Sequence, residues 1–305
     1  MSTAIIPFDA GEARLEWIAL TDALAAGHLL PKAEIADTFL YRDPDTLLNR
    51  AAWIDGLGLA VKSATIFPGN LEKGNSAING GVMLFSDDHG TLQAIIDFHL
   101  VTKWKTAADS LLAARRLARP DSRIILLVGA GTQAHALYAA YSAVFPQAHF
   151  TVWNRTRETA QKMVATLPNL TVADNLESAV RTADIVASAT MSTDPLIMGD
   201  WLQPGQHIDL IGAYRPDMRE VDDTALTRGR LFVDSLDTTV GHIGELKIPI
   251  ETGVITAENI VADYYRPGDF KRESDNEITI FKNGGGAHLD LMTCRYILER
   301  WEDTA

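Results

Sequence analysis

The sequence predicts an α/β protein whose second half forms a doubly wound parallel sheet. From Arg123 onward, short continuous apolar strands alternate with helices, the pattern of a parallel sheet buried on both faces. The strand Ile124–Val128 runs directly into a G-x-G-x-x-A turn that opens a helix. Before residue 100 the pattern differs, with strand-like runs separated by turn residues. At roughly 100–200 residues per domain, a chain of 305 residues holds two domains by default.

The elements follow in order. Residues 11–28 read as one amphipathic helix, with Leu15, Ile18, Ala19, Ala23 and Ala26 near one face. Strands are expected at Ile35–Tyr41, Thr46–Ile54, Gly58–Ile66, Gly81–Phe85 and Thr91–Ile96. Asp43-Pro44-Asp45 and Pro68-Gly69-Asn70 supply turns between them. Thr102–Ala118 reads as a helix that stops at Arg119-Pro120, because the residue before proline avoids the helical region. After Ile124–Val128 come a helix to Val144, the strand His149–Trp153 and the helix Arg157–Leu167. Strand signals recur at Leu170–Ala173, Ile185–Ala189, His207–Ile211 and Leu231–Val233. A last strand, Glu277–Phe281, enters Asn283-Gly284-Gly285-Gly286 and a helix through Arg300, expected to return to the first domain.

Composition narrows the function. Lys and Arg number 27 against 40 Asp and Glu, a net charge of −13, which argues against a general binder of nucleic acid or anionic membrane. A few cations can still gather in one cleft around a small anion. The single cysteine, Cys294, excludes an internal disulfide framework and suits a reducing compartment. The first residues lack the basic and apolar regions of a signal peptide, and no apolar run approaches the roughly 20 residues that span a bilayer. A cytoplasmic location is therefore expected. His242 and Glu245 are only three residues apart, and no convergent ligand set supports a metal site.

The turn Gly129-Ala130-Gly131-Thr132-Gln133-Ala134 carries the clearest chemistry. The first glycine permits a tight turn, the second lets backbone approach a pyrophosphate, and small Ala134 lets helix pack on strand. The helix N-terminus offers unpaired N–H groups and partial positive charge. A merely structural turn is the plain alternative. The next strand ends at Asn154-Arg155-Thr156, where an NAD site usually carries an acid for the ribose hydroxyl. A cation and a hydroxyl suit a 2′-phosphate, so the expected cofactor is NADP. The alternative is that Arg155 is a solvated surface residue and NAD is accepted too. Ser188-Ala189-Thr190 ends the fourth strand of this region, where ligands of open α/β sheets bind. Asn283 and Gly285 lie in a glycine-rich joint that lets backbone approach a ligand, or simply flexes.

Lys62 lies within the apolar run Leu59–Ala64. Facing inward it must be partnered or functional; alternation alone leaves a solvated strand face open. Lys103 and Lys105 straddle Trp104, in either a solvated turn or a binding site. Asp97 is a candidate helix cap, and His99 beside it a weaker site candidate.

Taken together, these blocks resemble the ornithine cyclodeaminase/mu-crystallin family. The resemblance rests on Lys62 with Phe67-Pro68-Gly69-Asn70, Gly90-Thr91-Leu92 leading to Asp97, Thr102–Ala108, Gly129–Ala134, Trp201–Gly205 and Gly212-Ala213-Tyr214. It continues through Arg219–Asp222, Val233-Asp234-Ser235, Glu277–Lys282 and Gly285 to Asp290. It implies a Rossmann-type nucleotide-binding domain, residues 120–286, inserted in an α+β substrate-binding/dimerisation domain, residues 1–119 plus 287–305. It also implies homodimers joined through the first domain's strands, a nicotinamide cofactor, and small α-amino, α-imino or α-keto acids as substrates. Lys62 would then polarise C=N or C=O and relay a proton, while Lys105 and Arg50 hold the carboxylate. Gly212 would join the cofactor-binding residues.

Two positions depart from the family pattern. Where cyclodeaminases carry Gly-x-Asp this chain has Tyr214, whose ordinary pKa of about 10 makes a poor base near neutrality. The family's arginine before Thr-Ala-Ala is Lys105, which grips a carboxylate as a point charge rather than a fork. The expected activity is NAD(P)H-dependent reduction of an α-imino or α-keto acid to the amino acid. Ornithine cyclodeamination, and a non-catalytic nucleotide-binding protein, are the alternatives.

Overall fold

Turn chemistry at short spacing makes a meander, and the N-terminal region of the computed structural model, which describes residues 3–303, is built on one. Its strands are β1 (Ala4–Ile6), β2 (Glu34–Arg42), β3 (Asp45–Ile54), β4 (Gly58–Ile66), β5 (Ile78–Phe85) and β6 (Leu92–Asp97). They form a six-stranded sheet ordered β1-β6-β5-β4-β3-β2. Strands β2 to β6 pair antiparallel in sequence, and β1 adds parallel to β6. Three-residue β1 is too short for its alternation to be read from sequence.

One face of this sheet is covered by the C-terminal helix Ala287–Glu302, which packs on β3 and β4. Ala52, Ile54, Ala60, Val82, Leu84 and Ile96 are buried there with Leu291, Cys294 and Leu298 of the helix. The single helix expected over 11–28 is instead α1 (Phe8–Glu12) and α2 (Trp17–Gly27). Its buried face is Leu20, Leu24 and Gly27, while Ile18 is exposed. Tertiary packing sets this face. Trp17 stacks on Trp104 with centroids 3.8 Å apart, and Met292 presses on Gly27.

Helix α3 (Phe98–Leu117) starts under Asp97, whose Oδ1 accepts the N–H groups of His99 and Leu100 at 2.8 and 2.9 Å. The chain divides into two units, Met1–Lys105 with Gly286–Ala305, and Thr106–Gly285. The boundary thus falls inside α3.

The second unit holds the parallel sheet. Its strands are β7 (Ile124–Val128), β8 (His149–Trp153), β9 (Leu170–Val172), β10 (Ile185–Ser188), β11 (His207–Leu210), β12 (Arg230–Val233), β13 (Ile260–Ala262) and β14 (Thr279–Lys282). The order is β13-β12-β14-β11-β10-β7-β8-β9, all parallel. Helices α4 (Thr132–Val144), α5 (Arg157–Val164), α6 (Leu176–Thr182), α7 (Asp223–Arg228), α8 (Leu236–Thr239) and α9 (Gly244–Glu251) lie between strands. The chain reverses its direction across the sheet between β7 and β10, which opens a crevice at their carboxyl ends. Strand β13 has no signal of its own in the sequence; it forms by pairing with β12. Among the described residues, no helix is long and apolar enough to cross a membrane.

Candidate active site

In the second unit a cleft of about 350 Å³ lies at the switch point, lined by Gly129, Ala130, Gly131, Asn154, Arg155, Thr156, Ala189 and Thr190. Gly129 has φ +103°, and a Cβ there would sit 2.8 Å from the Ala189 carbonyl. Gly131 opens α4 without a capping side chain. The first-turn N–H groups, from Thr132, Gln133 and Ala134, therefore lack the helical acceptors that later residues have. Together with the dipole, they suit a phosphate. Asn154 Nδ2 donates to the Thr156 carbonyl at 2.8 Å, fixing the end of β8. Among the described residues, Arg155 is exposed and makes no hydrogen bond or ion pair. These features fit a dinucleotide with an anionic group near Arg155.

The cleft's walls are tied together from behind by Glu220. Its Oε1 accepts from Ser188 Oγ at 2.6 Å and from Thr190 N–H and Oγ1, both at 2.8 Å. Its Oε2 accepts the N–H groups of Gly212 at 2.7 Å and Ala213 at 3.3 Å. Only glycine fits at 212, because a Cβ would fall 1.8 Å from the Thr190 carbonyl oxygen. Glu245 in turn accepts from the N–H groups of Glu220 and Val221 at 2.8 and 3.1 Å. Burial, with the negative charge of Glu220, pushes the Glu245 carboxyl up to about 7. Buried Lys282 donates to the carbonyls of Leu210 and Asn283 at 2.8 and 2.9 Å.

Several residues expected at the cofactor also have hydrogen-bond partners inside the protein. Ser188 is fully buried against Glu220. The Asn283 side-chain amide donates to the Thr106 carbonyl and Ser110 Oγ, both at 3.0 Å. Gly285 N–H is held by Asp234 Oδ2 at 2.6 Å, and Gly212 N–H by Glu220. Strand carboxyl ends mark ligand sites, but the sequence cannot show which of their groups turn inward.

The first unit carries a charged cluster on the helix-covered face of its sheet. Register places Asp37, Arg50 and Lys62 side by side on β2, β3 and β4, in one row with Val82 and Ile96. Arg50 Nη2 lies 3.0 Å from Asp37 Oδ2. Lys62 is only 7% exposed; its Nζ donates to Asp290 Oδ1 at 2.9 Å and stands 4.9 Å over the Phe98 ring centroid. Inward burial is thus met by a partner, as the electrostatics of a buried lysine demands.

Burial would raise the Asp290 carboxyl, but the charges of Lys62, Lys105 and Arg50 outweigh it and hold the group below the usual range. Buried His288 is pushed down to about 3 by desolvation and by the Lys105 charge, so it is neutral. Lys105, also 7% exposed, thus belongs electrostatically to this cluster. Lys103 instead pairs with Glu12, and His99 is exposed and edge-on to Phe98. Tyr214, in the second unit after β11, is 58% exposed, and its neighbour Arg215 pairs with Asp217. Asp290 and Glu220 are the site residues that sequence reasoning passed over. Both lie in blocks that carried the family resemblance; Asp290, between Leu289 and Leu291, is a carboxylate among apolar positions, whereas Glu220 lies in the charged stretch Arg219–Asp223 and had no such signal. Among the described residues, no three His, Cys, Asp or Glu side chains gather to hold a metal ion.

Known proteins match this architecture. The family model of the ornithine cyclodeaminase/mu-crystallin family covers residues 54–305. A Delta(1)-pyrroline-2-carboxylate reductase of Paracoccus denitrificans (strain Pd 1222) is 51% identical over 292 residues, 93% of this chain and 92% of the relative. The Thermococcus litoralis Delta(1)-pyrroline-2-carboxylate reductase, solved with NADH and L-proline, superposes with TM-score 0.91 at 25% identity, over 99% of this chain and 98% of that one. An archaeal alanine dehydrogenase dimer with bound NAD superposes with TM-score 0.91 at 27% identity, over 100% of this chain and 97% of that one. With the family's blocks in order on both units, the chain belongs to the ornithine cyclodeaminase/mu-crystallin family.

Proposed function

We propose that this protein is an NAD(P)H-dependent reductase of a small cyclic α-imino acid, of the Delta(1)-pyrroline-2-carboxylate class, giving the amino acid. The observation that carries this reading is the buried Lys62–Asp290 pair beside Arg50 and Lys105 on one sheet face. Two cations suit a carboxylate, and a lysine held against an anion suits proton delivery to nitrogen. The 51% identity to the Paracoccus reductase supports the same class.

The chain's residues divide the work. Arg50 and Lys105 bind and orient the substrate carboxylate, with Arg50 braced by Asp37. Lys62 holds a proton at Nζ for the imine nitrogen. Neutral His288 does not compete for that proton near neutrality. The dinucleotide, when bound, supplies a hydride to the imine carbon. Gly129 to Ala134 cradle its pyrophosphate, and Glu220 fixes the Thr190 and Gly212 loops beside it. The exposed Arg155, with no protein partner among the described residues, supports a preference for NADP.

The uncovered sheet face supports a homodimer. Ile5, Ile95, Met83, Val61 and Ala51 form one row across β1, β6, β5, β4 and β3, with Trp53 beside them. Ile5, Ile95, Met83 and Trp53 are exposed, and an apolar face of this kind marks an interface.

The function is tested by following reduced-cofactor oxidation with a panel of cyclic imino acids, linear imino acids and α-keto acids with ammonia. Stoichiometric conversion of a cyclic imino acid to its amino acid is expected. Oxidation with the keto acids alone would contradict the reading.

A further inference from the structure

The cluster on the first unit has a group for the substrate carboxylate and a group for the proton, but the nitrogen itself still needs a partner. Asp290 has one to offer. It lies in the first turn of the C-terminal helix, its N–H 3.3 Å from the Gly286 carbonyl, and is 1% exposed. Oδ1 accepts from Lys62 Nζ, whereas Oδ2 is buried and accepts no hydrogen bond. An unsatisfied carboxylate oxygen so deep in a protein is costly, and natural interiors keep few of them. This one feels the charges of three cations, Lys62, Lys105 and Arg50.

The charges fit one class of molecule. Arg50, Lys105 and Lys62 oppose a carboxylate; Asp290 opposes a cation. A zwitterion with its positive nitrogen one carbon from its carboxylate satisfies both. Resting on the function proposed above, we infer that Asp290 binds the substrate through its nitrogen. Oδ2 accepts the N–H of the protonated imine and of the product amine, while Oδ1 keeps Lys62 in place.

The step balances as follows. The Lys62 ammonium gives one proton to the imine nitrogen, forming N–H and leaving a neutral lysine amine. The positive charge has then moved from one neighbour of Asp290 to the other, so its carboxylate keeps a counter-charge up to the hydride step. Hydride from the reduced nicotinamide adds to the imine carbon, and the C=N π pair becomes the nitrogen lone pair. The product amine and Lys62 each take a proton from water, so that two protons and one hydride are consumed in all. An α-keto acid presents a carbonyl oxygen to Oδ2 instead, and two lone-pair-bearing oxygens repel. Asp290 is therefore also a device for choosing imines over ketones.

The test compares L-proline with cyclopentanecarboxylate, which has the same ring and carboxylate but no nitrogen. Calorimetric titration of the NADP⁺-loaded wild-type protein should show proline binding at least about tenfold tighter, the scale of a charge-assisted hydrogen bond. Asp290→Asn should bring the two ligands to within about twofold by weakening proline, while loss of the buried ion pair with Lys62 lowers the thermal midpoint. If wild-type protein reduces no imine, the proposed function fails. If it reduces imines but binds the two ligands alike, or if Asp290→Asn keeps the proline preference, the role of Asp290 fails alone. Should the variant not fold, the wild-type comparison decides by itself.

Discussion

The two units build their sites from opposite materials. The first uses side-chain charge: Arg50 and Lys62 on a sheet face, Asp290 on the helix that covers it, and Lys105 on α3. The second uses backbone: a glycine turn, a helix start and loop N–H groups, with its carboxylates set behind the wall rather than in it. The difference teaches what each site must recognise. A small amino acid is specified by the sign and spacing of its charges. A dinucleotide is long, and its pyrophosphate is met by donors that cost no side-chain ordering.

That contrast can be broken from either side. The largest expected effect is on the charged side. Lys62→Ala should lower turnover about 10²–10⁴-fold, the usual range for proton assistance, while dinucleotide affinity stays near wild type. Near-wild-type turnover would make Lys62 a structural ion pair only. On the backbone side, Glu220→Gln keeps the shape but replaces one acceptor oxygen by a donor facing N–H groups. Dinucleotide affinity should fall by about tenfold to a hundredfold, for roughly 1–3 kcal/mol of lost hydrogen bonding, with KM for the imino acid little changed. Equal losses for both ligands, tracking a lower thermal midpoint, would reduce Glu220 to a general stabiliser.

A smaller effect sharpens cofactor choice. Arg155→Ala should weaken NADPH about tenfold and leave NADH almost unmoved, because an exposed cation contributes modestly and only to the 2′-phosphate. An unchanged NADPH/NADH ratio would return Arg155 to the solvated surface.

The smallest effect concerns stability and includes one residue from each unit. His207 and His288 are both pushed down to about 3, in each case chiefly by burial. Above pH 6.5 neither state binds the proton, so neither histidine contributes. Below it the unfolded chain protonates and the native protein does not, so stability falls as pH drops toward 3, by up to about 1.4 kcal/mol per pH unit for each group. His207→Asn or His288→Asn should each flatten the decline of the thermal midpoint between pH 6.5 and 5. An unaltered slope in both variants would show that other groups govern acid unfolding.

The same contrast explains what was legible in the sequence. The glycine turn is local: strand, turn and helix lie within Ile124–Val144, so spacing alone carries it. The parallel sheet was legible for the same reason, strand by strand. The charged cluster joins residues 50, 62, 105 and 290, which only strand register and the returning helix bring together. Lys62 was visible as a misfit on an apolar strand, but its partner 228 residues away was not. The face of α2 was misread because Trp17 answers to Trp104, not to the periodicity of its own helix. Ser188 and Asn283 were placed at a strand end correctly, yet their side chains turn into the protein for hydrogen bonds no local pattern encodes.

The activity is net reduction of an imino acid rather than redox-neutral loss of ammonia. Tyr214 is exposed, and by the family resemblance it takes the position of the carboxylate expected in a cyclodeaminase. The direct test supplies L-ornithine with catalytic oxidised dinucleotide, and separately a cyclic imino acid with stoichiometric reduced dinucleotide, and follows ammonia, proline and cofactor together. Proline is expected from the second mixture, with one dinucleotide oxidised per molecule formed, and little ammonia from the first. Sustained proline and ammonia from ornithine, with no net change in the dinucleotide, would contradict it.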